Sequence, residues 1–207
     1  MALVEYAPEQ TLRAARARYF EVNHFGADGG YGDKWVDFKL GPLPLPFPNT
    51  PARVRAVRYH DLHHVLTGYD TNTIGEFEIS AWEIAAGCKG YVAAWQLNLG
   101  GMFAGFVSAP RRTVRAFLRG RESRSLYDEP FEALLDATVA ATRAQTGVDR
   151  PLRRMRFGDA LLFGLALLAG ALTAFITLPL VLVFLPLGFA TFAVRRYRAG
   201  KQAALGG

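Results

Sequence analysis

The ten residues HDLHHVLTGY, positions 60–69, predict a short helix that ends near its glycine. Residues four apart on a helix differ by roughly 40° around the axis, so His60 and His64 are predicted to share one face while His63 points elsewhere. Glu76 follows at the start of the next predicted helix. A short helical hairpin would therefore bring the Glu76 carboxylate back to the two imidazoles.

The sequence around this stretch predicts further helices, separated by glycines and prolines that end a helix. The predicted segments are residues 12–24, 76–86, 89–107, 111–118 and 130–146. Alternation typical of a strand is confined to residues 35–38, and the proline-rich segment 41–48 predicts an extended connector outside any helix or sheet interior. The fold class predicted for the domain of residues 1–156 is therefore all-α.

A second region, residues 160–194, carries no charge and is rich in leucine, phenylalanine, alanine and valine. As one helix these 35 residues would be about 52 Å long, against a hydrocarbon core of about 30 Å. The run is therefore too long for one span and slightly short for two. Pro179 at its midpoint and Pro186 beyond it favour a bend.

Basic residues on both sides of this run predict its topology. Four precede it and four follow it: Arg150, Arg153, Arg154, Arg156, Arg195, Arg196, Arg198 and Lys201. Positive charge stays on the cytoplasmic side of a membrane, so residues 157–207 are predicted to form a membrane-inserted helical hairpin that enters and leaves from the cytosolic face. The alternative is a buried helical pair of a soluble core, although no polar face at the helical period is visible.

The distribution of charge argues against a nucleic-acid partner, although the net charge is +6. Nine basic and two acidic residues fall within 143–207, a balance of +7, so the preceding 142 residues sum to −1. The positive charge thus accompanies the hydrophobic run. The single cysteine, Cys88, excludes an intrachain disulfide framework and fits a reducing compartment.

Two imidazoles and one or two carboxylates make a nitrogen–oxygen ligand set that suits zinc, iron, manganese or cobalt. The candidate metal ligands, which are also the candidate catalytic residues, are His60, Asp61, His64 and Glu76. Three alternatives stay open: paired surface histidines without an ion, a zinc-protease pattern with aspartate in place of the glutamate of H-E-x-x-H, and an H-D phosphohydrolase, whose additional histidines are missing here.

The segment YHDLHHVLTG at 59–68, followed by TIGE at 73–76, resembles the signature of a ubiquinone-biosynthesis family, coenzyme Q biosynthesis protein four. That family carries H-D-x-x-H, eleven residues and then E, and these positions are occupied here by His60, Asp61, His64 and Glu76. The resemblance covers about residues 53–148. The chain departs from the family in lacking a lysine near Ser80 and in its apolar C-terminal run, which suggests a built-in membrane anchor.

The resemblance implies an α-helical, lipid-binding and often dimeric protein that works with other quinone-biosynthesis enzymes at a membrane, the inner membrane if the source is bacterial. The implied activity is loss of the ring carboxylate from a polyprenyl-hydroxybenzoate intermediate, with hydroxylation of the same carbon in an oxidative version. The histidines would hold a divalent metal, zinc or else iron, manganese or cobalt, and Asp61 and Glu76 would complete its coordination or transfer a proton. The small-residue stretch 100–105 of the predicted helix 89–107, with Phe103 and Phe106, would line a tunnel for the prenyl tail or pack closely against a neighbour. The alternative function is a non-catalytic organiser that binds prenyl lipid and gathers the other enzymes.

Overall fold

The computed structural model describes the backbone of residues 6–40 and 43–205, and the side chains of 6–36, 47–177 and scattered positions beyond. Over these described residues the fold is mainly helical, as predicted, with one two-stranded antiparallel sheet. In chain order the elements are α1 (Leu12–Asn23), β1 (Trp35–Leu40), β2 (Leu43–Pro48), α2 (Pro51–Thr67), α3 (Thr73–Ala86), α4 (Val92–Ser108), α5 (Pro110–Arg121), α6 (Phe131–Asp136), α7 (Val139–Thr146) and α8 (Phe157–Leu205).

The turn between α2 and α3 positions the candidate ligands. Helix α2 ends at Gly68, whose φ of 73° is in the left-handed region that favours glycine. The side chain of Asn72 caps α3 by accepting a hydrogen bond from the backbone N–H of Gly75. A Cβ at position 75 would overlap the backbone of Asp70, so this tight turn requires glycine. The two helices are therefore held in a compact hairpin.

Helix α3 packs mainly on α4 and α5. Trp82 in its middle and Phe117 of α5 are buried in one hydrophobic cluster with Leu62 and Leu66 of α2. The glycines of α4 permit a close approach, since a Cβ at Gly101 would overlap the side chain of Ser80. On the side of α4 that faces α3, the small residues therefore serve close helix packing, the second of the two roles considered for them.

The helix predicted over residues 130–146 is in fact two helices, α6 and α7. The chain leaves the helix because its backbone pairs with the residues around the start of α1. Leu12 donates to the oxygen of Ala137 at 2.8 Å, and Val139 donates to the oxygen of Gln10 at 2.9 Å. Thr138 then caps α7 through its side chain. The periodicity of apolar residues could not predict this break, because the break depends on backbone hydrogen bonds to residues that are distant in sequence.

The proline-rich segment is a strand rather than an unpaired connector. β2 pairs antiparallel with β1, with Phe47 opposite Val36. Proline is tolerated at an edge strand because its missing donor can face away from the partner strand. The first two residues of the predicted connector, 41 and 42, lie outside the described residues.

The predicted membrane hairpin is not seen. Helix α8 runs unbroken over Phe157–Leu205 with Pro179 and Pro186 inside it. A proline removes one backbone hydrogen bond, but a full turn would leave several backbone groups without partners in an apolar environment. Within the described residues, Phe157–Thr177 is long and apolar enough to cross a membrane by length and composition, and only 11% of the most apolar window in that stretch is buried.

Candidate metal centre

Helix α2 places His60 and His64 one turn apart, as their spacing predicts. Their Nε2 atoms lie 3.1 Å apart, and the two ring planes are nearly perpendicular, at 86°. His64 is buried, whereas the His60 side chain is 19% exposed. The two imidazoles therefore converge on one point at the edge of the core.

Glu76, in the first turn of α3, completes a three-residue group around that point. Its Oε2 lies 3.3 Å from Nε2 of His60, and its Oε1 lies 3.4 Å from Nε2 of His64. For metal–ligand bonds of about 2.05 Å, the edge of a tetrahedron is about 3.3 Å, which matches these separations. His60, His64 and Glu76 can therefore hold a metal ion.

Hydrogen bonds on the outer side of each ring fix which nitrogen faces this point. Nδ1 of His64 lies 2.9 Å from the backbone oxygen of Tyr69, and Nδ1 of His60 lies 3.0 Å from Oε1 of Glu83. Both oxygens can only accept, so each Nδ1 carries a proton and donates it. In the neutral rings the Nε2 lone pairs are then directed at the site. Metal-binding histidines are held in this way by a carbonyl or carboxylate on the outer nitrogen.

Glu83 is the site residue that the sequence motif missed. It is fully buried, and its carboxylate accepts four hydrogen bonds, which come from His60, His63, Asn98 and Tyr127. His63 points away from the three-residue group, as predicted: its Nδ1 donates to Glu83 at 2.6 Å, and its Nε2 accepts from the backbone N–H of Leu126. A sequence signal existed, since Glu83 follows Glu76 by seven residues and so lies on the same face of α3.

Two ionised glutamates control the electrostatics of the group. Burial would raise the pKa of Glu83, but its electrostatic interactions with His60 and His63 and the hydrogen bonds that these two rings donate lower it well below its usual range. Partial burial would raise the pKa of Glu76 as well, but the attraction to His64 and His60 lowers it to about 2. Burial would lower the pKa of His60, but the charges of Glu83 and Glu76 raise it well above its usual range. The centre of the group therefore favours a cation, whether a proton or a metal ion.

Asp61 lies outside the three-residue group, in contrast to the ligand set expected from the motif. It is buried, and its Oδ2 accepts a hydrogen bond from the hydroxyl of Tyr31 at 2.5 Å. Successive residues on a helix are about 100° apart, so Asp61 points away from the face that carries His60 and His64. Burial raises the pKa of Asp61 to about 6, with the hydrogen bond from Tyr31 opposing a larger rise. Its carboxyl group can therefore exchange a proton close to neutral pH.

Three protein ligands would leave at least one position of a tetrahedral ion open to water or substrate. The Glu76 side chain is 38% exposed, so the group is reached from the side of this carboxylate. Imidazole and carboxylate ligands together suit zinc, iron, manganese or cobalt. The geometry is therefore that of an accessible site rather than one closed by protein ligands alone.

Comparisons of the chain with family models, with curated proteins and with solved structures found no match in any of the three. The protein is thus defined by its own fold and site, a mainly helical chain with two histidines and one glutamate that can hold a metal ion. The family suggested by the motif at residues 59–76 stays a prediction.

Proposed function

We propose that this protein is a metal-dependent lyase of ubiquinone biosynthesis, of the family coenzyme Q biosynthesis protein four. It removes the ring carboxylate from a polyprenyl-hydroxybenzoate intermediate at a membrane. The observation that carries the proposal is the convergence of the His60 and His64 Nε2 atoms with the Glu76 carboxylate, at separations of 3.1, 3.3 and 3.4 Å. The motif that suggested the family supplies these three residues.

A divalent cation bound to this group would polarise the ring hydroxyl and stabilise the negative charge that develops on the ring as carbon dioxide leaves. In this reaction the ring–carboxylate bond breaks, its electron pair stays on the ring carbon, and a proton then adds to that carbon. Water that reaches the group beside the partly exposed Glu76 side chain can supply this proton. Asp61 is less suited to the role, because it bonds to Tyr31 and points away from the two histidines. Glu83 and the backbone oxygen of Tyr69 keep the two imidazoles oriented.

An oxidative version of the reaction hydroxylates the same carbon and needs dioxygen as its oxidant. Zinc does not change oxidation state, so this version requires iron, manganese or cobalt, or direct attack of oxygen on the activated ring. The metal content of anaerobically purified protein distinguishes these cases.

The membrane association of the protein fits a substrate with a prenyl tail. Each buried CH₂ of such a tail is worth about 0.8 kcal/mol, so the substrate stays in the bilayer and the enzyme must come to it. Helix α8 provides the apolar attachment, and the arginines on either side of its uncharged run, residues 160–194, favour the cytosolic face. A homodimer that works with other quinone-biosynthesis enzymes completes the proposal.

The test replaces His64 by alanine in a strain that lacks the native protein. We expect a carboxylated prenyl intermediate to accumulate while the partner enzymes remain assembled. His24→Asn is the matched control, because His24 is exposed and has a left-handed φ of 57°, which asparagine tolerates. Normal quinone synthesis by His64→Ala, with the control also normal, contradicts a catalytic role for the group.

A non-catalytic organiser is the second candidate function. It is favoured by the position of the ligands, since His60 and His64 lie on α2 and Glu76 on α3, so that an ion between them would also tie two helices together. Collapse of the whole enzyme assembly in His64→Ala, rather than accumulation of one intermediate, supports this function.

A further inference from the structure

Helices α4 and α8 lie side by side and run in opposite directions. The ring of Phe163 in α8 packs against that of Phe106 in α4, with centroids 5.6 Å apart. Seven residues further along α8, Gly170 lies so close to Leu99 of α4 that a Cβ would overlap its backbone oxygen. Because α8 advances by seven residues while α4 goes back by seven, the two helices form an antiparallel pair over at least two turns.

The outer surface of this helix pair is apolar and exposed. Phe157 is 87% exposed, and Phe175, at the other end of the apolar stretch, is 79% exposed. The other large apolar side chains described as exposed on α4 and on Phe157–Thr177 of α8 are Val92, Leu97, Phe106, Val107, Leu161, Leu162, Leu165, Leu168, Leu172 and Ile176. So many exposed large apolar side chains on one helix pair mark an interaction with a membrane or another protein.

On its inner side, α4 packs against α3 and α5, and this part of the protein contains ionised side chains. Glu78 of α3 forms an ion pair with Arg112 of α5 at 2.5 Å, and Lys89 before α4 pairs with Asp128 at 2.8 Å. One pair lies near the start of α3 and the other lies just after its end. If the first part of α8 crossed a bilayer, α4 and these ion pairs would enter the hydrocarbon beside it, which is costly for ionised side chains. Crossing in this stretch is therefore unfavourable, although its length and hydropathy permit it.

Basic residues cluster at one end of the helix pair, where α4 ends and α8 begins. Arg111 follows α4 closely in sequence, and Arg154 and Arg156 immediately precede α8. Among the described residues, none of these three side chains forms an ion pair with a carboxylate. Unpaired arginines next to an apolar surface complement anionic phospholipid headgroups, at about 1 kcal/mol each near the membrane surface.

We propose that α4 and the first 21 residues of α8, Phe157–Thr177, lie along the surface of an anionic lipid bilayer, with their outer apolar faces in the boundary between headgroups and acyl chains. The stretch that sequence hydropathy assigns to a membrane span thus lies parallel to the membrane. Asn98, on the inner side of α4, bonds to Glu83, and Glu83 bonds to His60, so α4 lies between this buried carboxylate and the lipid. The inference rests on the membrane association proposed above and is independent of the decarboxylation chemistry.

Depth-dependent fluorescence quenching tests this orientation on the full chain. Single cysteines replace Leu161, Leu168 or Phe175 in a Cys88→Ala background, each is labelled with an environment-sensitive fluorophore, and the protein is bound to vesicles of phosphatidylcholine and phosphatidylglycerol. Lipids with nitroxides at shallow or deep acyl positions report the depth of each label. The three positions are seven residues apart on one face, so a crossing helix would change the depth by about 10 Å at each step.

We expect all three labels at one shallow depth, about 5–10 Å into the boundary region, and no quenching of a control label at the exposed Ala17 of α1. A label at residue 168 that lies about 10 Å deeper than the labels at residues 161 and 175 overturns the proposal in favour of a span, because residue 168 is near the middle of the 21-residue stretch. Vesicle binding without quenching at these positions also overturns it, because another protein surface, such as a second copy of this chain, then covers the face. Failure to bind vesicles overturns both this inference and the membrane association. Loss of decarboxylase activity with equal shallow depths leaves the orientation standing.

Discussion

Oε1 of Glu83 lies 3.0 Å from Nδ1 of His60, and no part of Glu83 is exposed to solvent. The same oxygen accepts a hydrogen bond from His63, while Tyr127 and Asn98 donate to the other oxygen. The orientation of His60, a candidate ligand at the edge of the core, is thus held by the buried carboxylate of Glu83. The orientation of His60 therefore depends on a residue that no ion would touch.

Replacing Glu83 by glutamine should lower the metal affinity by about 10- to 100-fold, the usual range when the outer partner of a metal-binding histidine is lost. The amide keeps the shape but removes the charge and presents N–H groups where the carboxylate accepted four hydrogen bonds. Competition with a chromophoric chelator measures the affinity, and thermal unfolding confirms the fold. Glu78→Gln is the matched control on the same helix, because Glu78 pairs with Arg112 instead. Equal affinities of the two variants would falsify the positioning role of Glu83.

Metal binding should strengthen as the pH rises through the neutral range. The raised pKa of His60 means that the metal-free group keeps a proton where a metal ion would bind, and the ion must displace it. Raising the pH weakens the competition from this proton. Below the pKa of His60, the metal affinity should therefore rise by up to about tenfold per pH unit. Calorimetric titration in buffers of different ionisation enthalpy measures the number of protons released. An affinity that is constant from pH 6 to 8 would show that no proton is displaced.

Asp61→Asn should change the metal affinity less than Glu83→Gln, and Glu76→Gln should lower it more than either. The carboxylate of Asp61 bonds to Tyr31 outside the three-residue group, whereas Glu76 supplies oxygen atoms directed at both histidines. The same chelator competition ranks the three variants. A loss for Asp61→Asn as large as that for Glu76→Gln would place Asp61 among the ligands.

Asp61→Asn should also stabilise the metal-free protein, and more at pH 7.5 than at pH 5. Burial raises the pKa of Asp61 to about 6 in the folded chain, above its ordinary value of 3.8. Its contribution to stability is therefore present at low pH and is lost as the pH rises through about 6. Asparagine avoids this loss, which is at most about 3 kcal/mol. Thermal unfolding of chelator-treated protein at the two pH values gives the comparison, and a gain that does not depend on pH would contradict it.

Gly170→Ala should destabilise the contact between α4 and α8 by about 1–3 kcal/mol, the usual cost of forcing an added carbon into a packed contact. The new Cβ would overlap the backbone oxygen of Leu99, which cannot rotate away. Gly164→Ala is the matched control, because it lies on the same helix with no atom within 4 Å of the added carbon. Thermal unfolding of both variants in detergent shows whether position 170 alone is sensitive.

Local sequence signals predicted much of the fold. The left-handed glycines Gly68 and Gly147 end α2 and α7 where helix stops were expected. The four-residue spacing of His60 and His64 predicted their common face, because helical geometry depends only on the local backbone. The division between α6 and α7 and the pairing of β2 were missed, since each depends on backbone hydrogen bonds to residues distant in sequence.

The candidate ligand set was also predicted in part: its local features were predicted, and those that depend on long-range packing were not. The sequence by itself determined that two imidazoles converge and that an acidic residue begins the next helix, since both follow from helical period and a tight glycine turn. Only the tertiary structure decided which carboxylates serve the site. Asp61 bonds to Tyr31, Glu76 joins the two histidines in the three-residue group, and the buried Glu83 accepts a hydrogen bond that orients His60. Which oxygen reaches which nitrogen is decided by the packing of α2 against α3 and of α3 against α4, and no local spacing encodes these contacts.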